Sequence, residues 1–126
     1  MSAQILVVDD EEFVRQALRH VLEPEGYVVM EAPHGGIAME LFRKHSIGLV
    51  IIDLLMPEQE GLETILMMRR LSPQVKIIAI SGGGRFGMTY LLEVAEKLGA
   101  NRTLPKPLDR QELVATVREL LTGEAL

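Results

Sequence analysis

Short apolar runs alternate with amphipathic stretches along the whole chain. Residues 5–8, Ile-Leu-Val-Val, form a run rich in β-branched side chains that ends on acids. Val14, Ala17, Leu18, Val21 and Leu22 then recur at helical spacing, and Glu23-Pro24-Glu25-Gly26 stops that helix. Residues 27–30 predict a second strand, and Ile37, Ala38, Leu41 and Phe42 a second helix. Residues 49–52 are apolar at every position, the pattern of a parallel strand covered on both faces. A third helix runs through Leu62, Ile65 and Leu66 towards Leu71, and residues 75–80 make a fourth strand. The glycines at 82–84 lead into a helix through Leu91, Leu92, Ala95 and Leu98, and a short fifth strand covers residues 101–104. Leu113, Val114, Val117, Leu120 and Leu121 mark the last helix, with Asp109 as its cap.

Five strands alternating with five helices predict an α/β fold, a doubly wound parallel sheet of flavodoxin-like type with helices on both faces. Proline is tolerated at a sheet edge, so Pro105 places the fifth strand there, and the strand order 2-1-3-4-5 fits. The 126 residues suit one domain spanning 1–126, with no output domain expected in this chain. Hydrophobic residues at 48% are enough for a packed core, but aromatics are only 4%, so aliphatic side chains and methionine must fill it. Met67 and Met68 are read as such core filling.

The formal net charge of −5, without a basic stripe, argues against nucleic acid as a direct partner. The absence of cysteine excludes disulfides, thiol chemistry and cysteine metal sites. The first residues lack the basic and apolar segments of a signal peptide. No apolar run approaches the ~20 residues a membrane helix needs. The expected location is therefore the cytoplasm.

Ligands of such sheets sit beyond the carboxyl ends of the strands. The first predicted strand ends on Asp9-Asp10, the third on Asp53 and the fourth on Ser81, and Lys106 follows the fifth. Three carboxylates brought together repel, by about 4 kcal/mol for a pair ~4 Å apart at an effective dielectric of ~20. A cation relieves that repulsion. Oxygen donors without His or Cys call for a hard ion, and Mg²⁺ suits a site of few carboxylates that also takes phosphate oxygens. Lys106 and Ser81 are placed to hold phosphoryl oxygens. Singly, each residue reads as a turn, a cap or a solvated surface group; the combination is what points to phosphoryl chemistry. The three histidines, His20, His34 and His45, lie off the strand ends and are read as surface or structural residues.

The run Ile5-Leu6-Val7-Val8-Asp9-Asp10-Glu11 resembles the opening of response regulator receiver domains of two-component systems. Asp53-Leu54-Leu55-Met56-Pro57 with Gly61 beyond it, Ser81 after an apolar strand, and Lys106-Pro107 match the remaining signature positions. The resemblance covers nearly the whole chain. It implies that Asp53 is the phosphoacceptor. It implies that Asp9, Asp10, Asp53 and the Leu55 backbone carbonyl bind Mg²⁺, that Lys106 and Ser81 contact the phosphoryl group, and that Lys106-Pro107 is a cis peptide. The implied donor is a sensor histidine kinase or phosphotransfer protein, and the output is a change of surface read by a downstream protein.

One position departs from the family. Receivers usually carry Tyr or Phe three residues before the lysine, where this chain has Thr103. Switching through Ser81 and Thr103 therefore lacks its usual ring, and the Gly82–Gly84 loop is expected to carry the change instead. Three other readings compete. An aspartyl-phosphate phosphatase needs its nucleophile on the first strand and a second Asp two positions later, where Glu11 stands. A flavin carrier needs a hydroxyl-rich phosphate loop and flanking aromatics. An interaction module that is never phosphorylated has no use for the full acidic set.

Overall fold

Strands β1 (Gln4–Val8), β2 (Val28–Ala32), β3 (Leu49–Asp53), β4 (Lys76–Gly82) and β5 (Arg102–Lys106) form one parallel sheet in the order β2-β1-β3-β4-β5. Helices α1 (Glu12–Leu22), α2 (Gly35–Lys44), α3 (Glu60–Leu71), α4 (Met88–Leu98) and α5 (Arg110–Thr122) connect and follow them. The computed structural model describes residues 3–56, 60–82 and 88–123, with backbone only at 88 and 89.

The all-apolar strands are explained by burial on both faces. Leu6, Val8, Val50, Ile52, Ile77 and Ala79 point to one side, against α2, α3 and α4. Ile5, Val7, Leu49, Ile51, Ile78 and Ile80 point to the other, against Leu18 and Leu22 of α1 and Leu113 and Val117 of α5. Successive strand residues alternate faces, so a strand sandwiched by helices has no polar position to spare. Every residue of β3 is buried, consistent with its place at the centre of the sheet.

At two helix boundaries the local signals act where the sequence predicts. Gly26, at φ +95°, closes the single 3-10 turn Glu23–Glu25 after α1. The Asp109 carboxylate accepts from the Gln111 and Glu112 amides and caps α5. Three boundaries differ from expectation. β2 starts and ends later than residues 27–30 because it pairs with the full length of β1. β4 runs on through Ser81 and Gly82, and β5 lies at Arg102–Lys106, so Pro105 sits inside the strand rather than closing it. An edge strand tolerates this because its outer side needs no ladder partner. Of the two methionines read as core, Met68 is fully buried and Met67 is 42% exposed.

Two polar contacts brace the frame. Arg69, near the end of α3, donates to the carbonyls of Val75 and Gly99 and to the Asn101 side chain, tying together the starts of β4 and β5. His34 caps α2 through Nδ1, which accepts from the Gly36 and Ile37 amides; it is structural, as expected.

Helix α3 comes unusually close to the end of β3. A Cβ on Gly61 would lie 2.7 Å from the Asp53 carbonyl oxygen and 3.1 Å from the Leu54 Cα. Gly61→Ala is therefore expected to destabilise the fold by about 1–3 kcal/mol through overpacking, although alanine is the better helix former. Gly48→Ala meets only an ordinary contact with Leu121, at 3.5 Å, and should be neutral or stabilising by up to ~1 kcal/mol. Denaturant unfolding of both variants checks the contrast; equal midpoints would refute it.

Candidate functional site

The strand order reverses between β1 and β3, since β2 lies to one side of β1 and the remaining strands follow on the other. That is the crevice where open α/β sheets bind ligands. By strand alternation Asp9, Asp53 and Lys106 continue the face lined by Val7, Ile51 and Leu104, towards α1 and α5. Ser81 and Thr103 fall on the opposite face, with Ala79.

The structure brings together the carboxylates expected from sequence. Asp9, Asp10 and Asp53 each offer an oxygen, and these oxygens lie within 4.8 Å of one another. Asp9 and Asp53 are buried, at 0% and 2% exposure, while Asp10 is exposed. The Lys106 Nζ lies 3.1 Å from Asp53 Oδ2 and 3.3 Å from Asp9 Oδ2. The Glu11 amide donates to Asp9 Oδ1 at 2.9 Å, and the Leu55 amide to Asp53 Oδ1 at 2.9 Å. Both buried carboxylates are thus fixed from two sides.

One ammonium does not balance three carboxylates. Burial, reinforced by the charge of Asp53, pushes the Asp9 carboxyl up to about 6, against the lowering effects of the Glu11 amide and Lys106. Burial would lower Lys106, but Asp53 and Asp9 outweigh it and raise the group overall. The residual negative charge and the all-oxygen donor set fit a hard divalent cation such as Mg²⁺.

The other expected residues fall around this cluster. Ser81 is buried at the end of β4. Leu55 is 43% exposed, next to the acidic group in the chain. Thr103 is half-buried in β5, paired in register with Ala79. The Lys106-Pro107 peptide is cis, as the resemblance implies. Pro57 and the glycines Gly83 and Gly84 lie outside the described residues, so only Gly82 of the expected mobile loop is seen, as the last residue of β4.

Sequence reasoning missed two features. Arg15 donates from Nη1 to the Asp9 carbonyl at 2.8 Å; its position one helical turn after Glu11 was the available signal. An apolar cleft of about 510 Å³ opens beside the cluster, lined by Phe13, Ala17 and Val21 of α1 and by Lys106, Leu108 and Leu113. Phe13 is 80% exposed at this cleft, an apolar ring where a helix surface is normally polar.

Comparison with known proteins agrees with this geometry. The family model for the response regulator receiver domain matches residues 5–118. The chain is 30% identical to the chemotaxis protein CheY of Halobacterium salinarum, over 98% of this chain and all of that protein. It is 35% identical to the transcriptional regulatory protein CpxR of Escherichia coli over 94% of this chain, which spans 49% of that relative. Among solved structures, a CheY-like receiver domain protein from Methanospirillum hungatei superposes with a TM-score of 0.89 at 25% identity, covering 98% of this chain and 96% of that one. Among the described residues no helix is long and apolar enough to cross a membrane.

The raised Asp9 carboxyl gives a pH signature. Its folded value, about 6, lies above the ordinary aspartate value of 3.8, so the folded state binds the proton more tightly. The associated stability is present below about pH 4 and is lost as pH rises through about 6. Without divalent cations, Asp9→Asn should therefore be more stable than the parent at pH 7.5, with the advantage shrinking towards pH 4.5. Thermal unfolding in chelator across that range measures it. A pH-independent difference would show that charge crowding at Asp9 is not the cause.

Proposed function

The chain belongs to the response regulator receiver domain family of two-component systems, and we propose that Asp53 is its phosphoacceptor. The observation that carries this reading is the pairing of a buried Asp53 with Lys106, 3.1 Å away, inside the acidic cluster. Asp9, Asp10 and Asp53, with the Leu55 carbonyl, would hold Mg²⁺. When bound, the ion supplies positive charge to the phosphoryl oxygens and offsets the crowded carboxylates.

The chain's own groups account for the rest. The Leu55 amide fixes the Asp53 carboxylate, so its orientation is set before a donor arrives. That carboxylate attacks phosphorus in line, the bond from phosphorus to the donor nitrogen breaks, and an acyl phosphate forms. Lys106 then faces the phosphoryl group and neutralises charge on its oxygens. Ser81, at the end of the adjacent strand, donates a hydroxyl to another oxygen. Water later cleaves the acyl phosphate to restore the carboxylate and release inorganic phosphate. The domain promotes both steps on itself and acts as a switch, not as a turnover enzyme.

The proposed donor is a sensor histidine kinase or phosphotransfer protein in the cytoplasm. The apolar cleft around Phe13 borders Lys106 and suits contact with such a donor, because apolar surface beside a polar site supplies binding energy without altering the chemistry. Residues 1–126 are taken as one receiver domain whose changed surface is read by a downstream protein target. The switch is proposed to run from Ser81 through the glycines that follow it, since Thr103 has no ring to reorient.

Incubation with Mg²⁺ and a small phosphodonor such as acetyl phosphate should add one phosphoryl mass, and Asp53→Ala should abolish it. Unchanged labelling of that variant would remove Asp53 from its role. Asp10→Ala should weaken Mg²⁺ binding and slow labelling together, whereas Lys106→Ala should slow labelling with Mg²⁺ binding retained. Amide shifts on adding beryllofluoride, a phosphoryl mimic, should be large from Ser81 to Met88 and small at Thr103. A still loop beside a rearranged β5 and α5 would contradict the proposed route.

A further inference from the structure

Asp9 and Asp10 stand where β1 has run out of neighbours. The ladder to β2 ends at Val8 with Ala32, and the ladder to β3 ends at Val8 with Ile52. The Asp9 amide still reaches the Ala32 carbonyl at 3.1 Å, but among the described residues neither ladder continues past Val8 to donate to the Asp9 carbonyl. Arg15 takes that place, with Nη1 donating to the carbonyl at 2.8 Å. Its Nε donates to Glu31 Oε1 at 3.2 Å. Glu31 is held in turn by Arg19 Nε at 2.8 Å, and Arg19 Nη1 reaches Glu23 at 2.8 Å. The Arg15 side chain is only 14% exposed, so this is an enclosed contact between a planar donor and two acceptors.

The carbonyl that Arg15 grips belongs to the peptide joining Asp9 to Asp10. Asp9 has independent anchors, from the Glu11 amide and Lys106. Asp10 has none: it is exposed, and among the described residues nothing is hydrogen-bonded to its carboxylate. What that carboxylate can reach therefore depends on where the peptide before it places the Asp10 Cα. We infer that Arg15 is a positioning residue for the metal site, holding the Asp9–Asp10 peptide so that the Asp10 carboxylate stays within ligand distance of Asp9 and Asp53. The inference rests on the Mg²⁺ site proposed above.

Charge and positioning make opposite demands, which gives the test its sign. Arg15→Met removes a cation near an acidic site, and on charge alone Mg²⁺ would bind more tightly. Loss of positioning weakens it, by about tenfold if the contact acts as outer-shell partners of metal ligands usually do. Calorimetric Mg²⁺ titration of unphosphorylated protein reads this directly, with thermal unfolding in chelator confirming that the variant is folded. Arg19→Met is the control. It also removes a cation and a bond to Glu31 but does not touch Asp9, and it should bind Mg²⁺ as the parent does.

Tighter or unchanged binding by Arg15→Met overturns the role of Arg15 and leaves the metal site standing. Equal weakening in both variants overturns it too, by tracing the effect to the α1–β2 ion pairs. No binding by the parent protein overturns the metal site and this inference together. Should Arg15→Met fail to fold, Arg15→Lys decides. Its single ammonium keeps the charge but cannot span Glu31 and the Asp9 carbonyl at once, so affinity should drop several-fold; parental affinity would refute the inference.

Discussion

Two buried carboxylates, Asp9 and Asp53, and the exposed Asp10 are held together against their mutual repulsion, with the Lys106 ammonium the one cation between the buried pair among the described residues. Left alone they would move apart or take up protons, and Asp9 goes part of the way, its carboxyl pushed up to about 6. The fold exists to keep them from moving apart. Each is pinned through the backbone: Asp9 by the Glu11 amide and Asp53 by the Leu55 amide, with Arg15 on the peptide that leads to Asp10. The same crowding would favour a divalent cation and, in the proposed function, a phosphoryl group beside it.

The sheet supplies the placement. β1 and β3 are neighbours whose ladder ends with Val8 opposite Ile52, so Asp9, next after β1, and Asp53, the last residue of β3, meet at the same edge. Register then brings Ser81 opposite Pro105 and Gly82 opposite Lys106, which carries the lysine to that edge from the outermost strand. Because the strands are buried on both faces, a slip of register would expose an apolar row or bury a charge, so the site's geometry is fixed by the core. Gly61 lets α3 sit directly on the backbone of Asp53. Packing and chemistry therefore share the same few atoms.

Much of this is legible in the sequence because the signals are strong and local. Continuous apolar runs at 5–8 and 49–52 mark central parallel strands, and acids directly after them mark the crevice. The strand order, the cap at Asp109 and the gathering of Asp9, Asp10, Asp53 and Lys106 all follow expectation. Strand ends were less legible. Ser81, Gly82 and Pro105 have weak strand propensity and join β4 and β5 only because the neighbouring strand offers a ladder. Arg15 and Phe13 were not legible as site residues. An arginine and a phenylalanine at the start of an amphipathic helix look like ordinary face residues until the helix is docked, and only the docked position shows one gripping a carbonyl and the other lining a cleft. Thr103 stands in β5 where the resemblance leads one to expect a ring, and the proposed switch route runs through residues 83–87, outside the described set.

The central claim is chemical: an acyl phosphate forms on one carboxylate of the acidic cluster. Borohydride reduces an acyl phosphate to an alcohol and leaves free carboxylates alone, so it records the acceptor permanently. After incubation with Mg²⁺ and acetyl phosphate, reduction and peptide mass mapping should find homoserine in place of Asp53, with Asp9 and Asp10 untouched and no product in chelator. Homoserine at another aspartate, or none at all in a folded, Mg²⁺-loaded sample, would contradict the account.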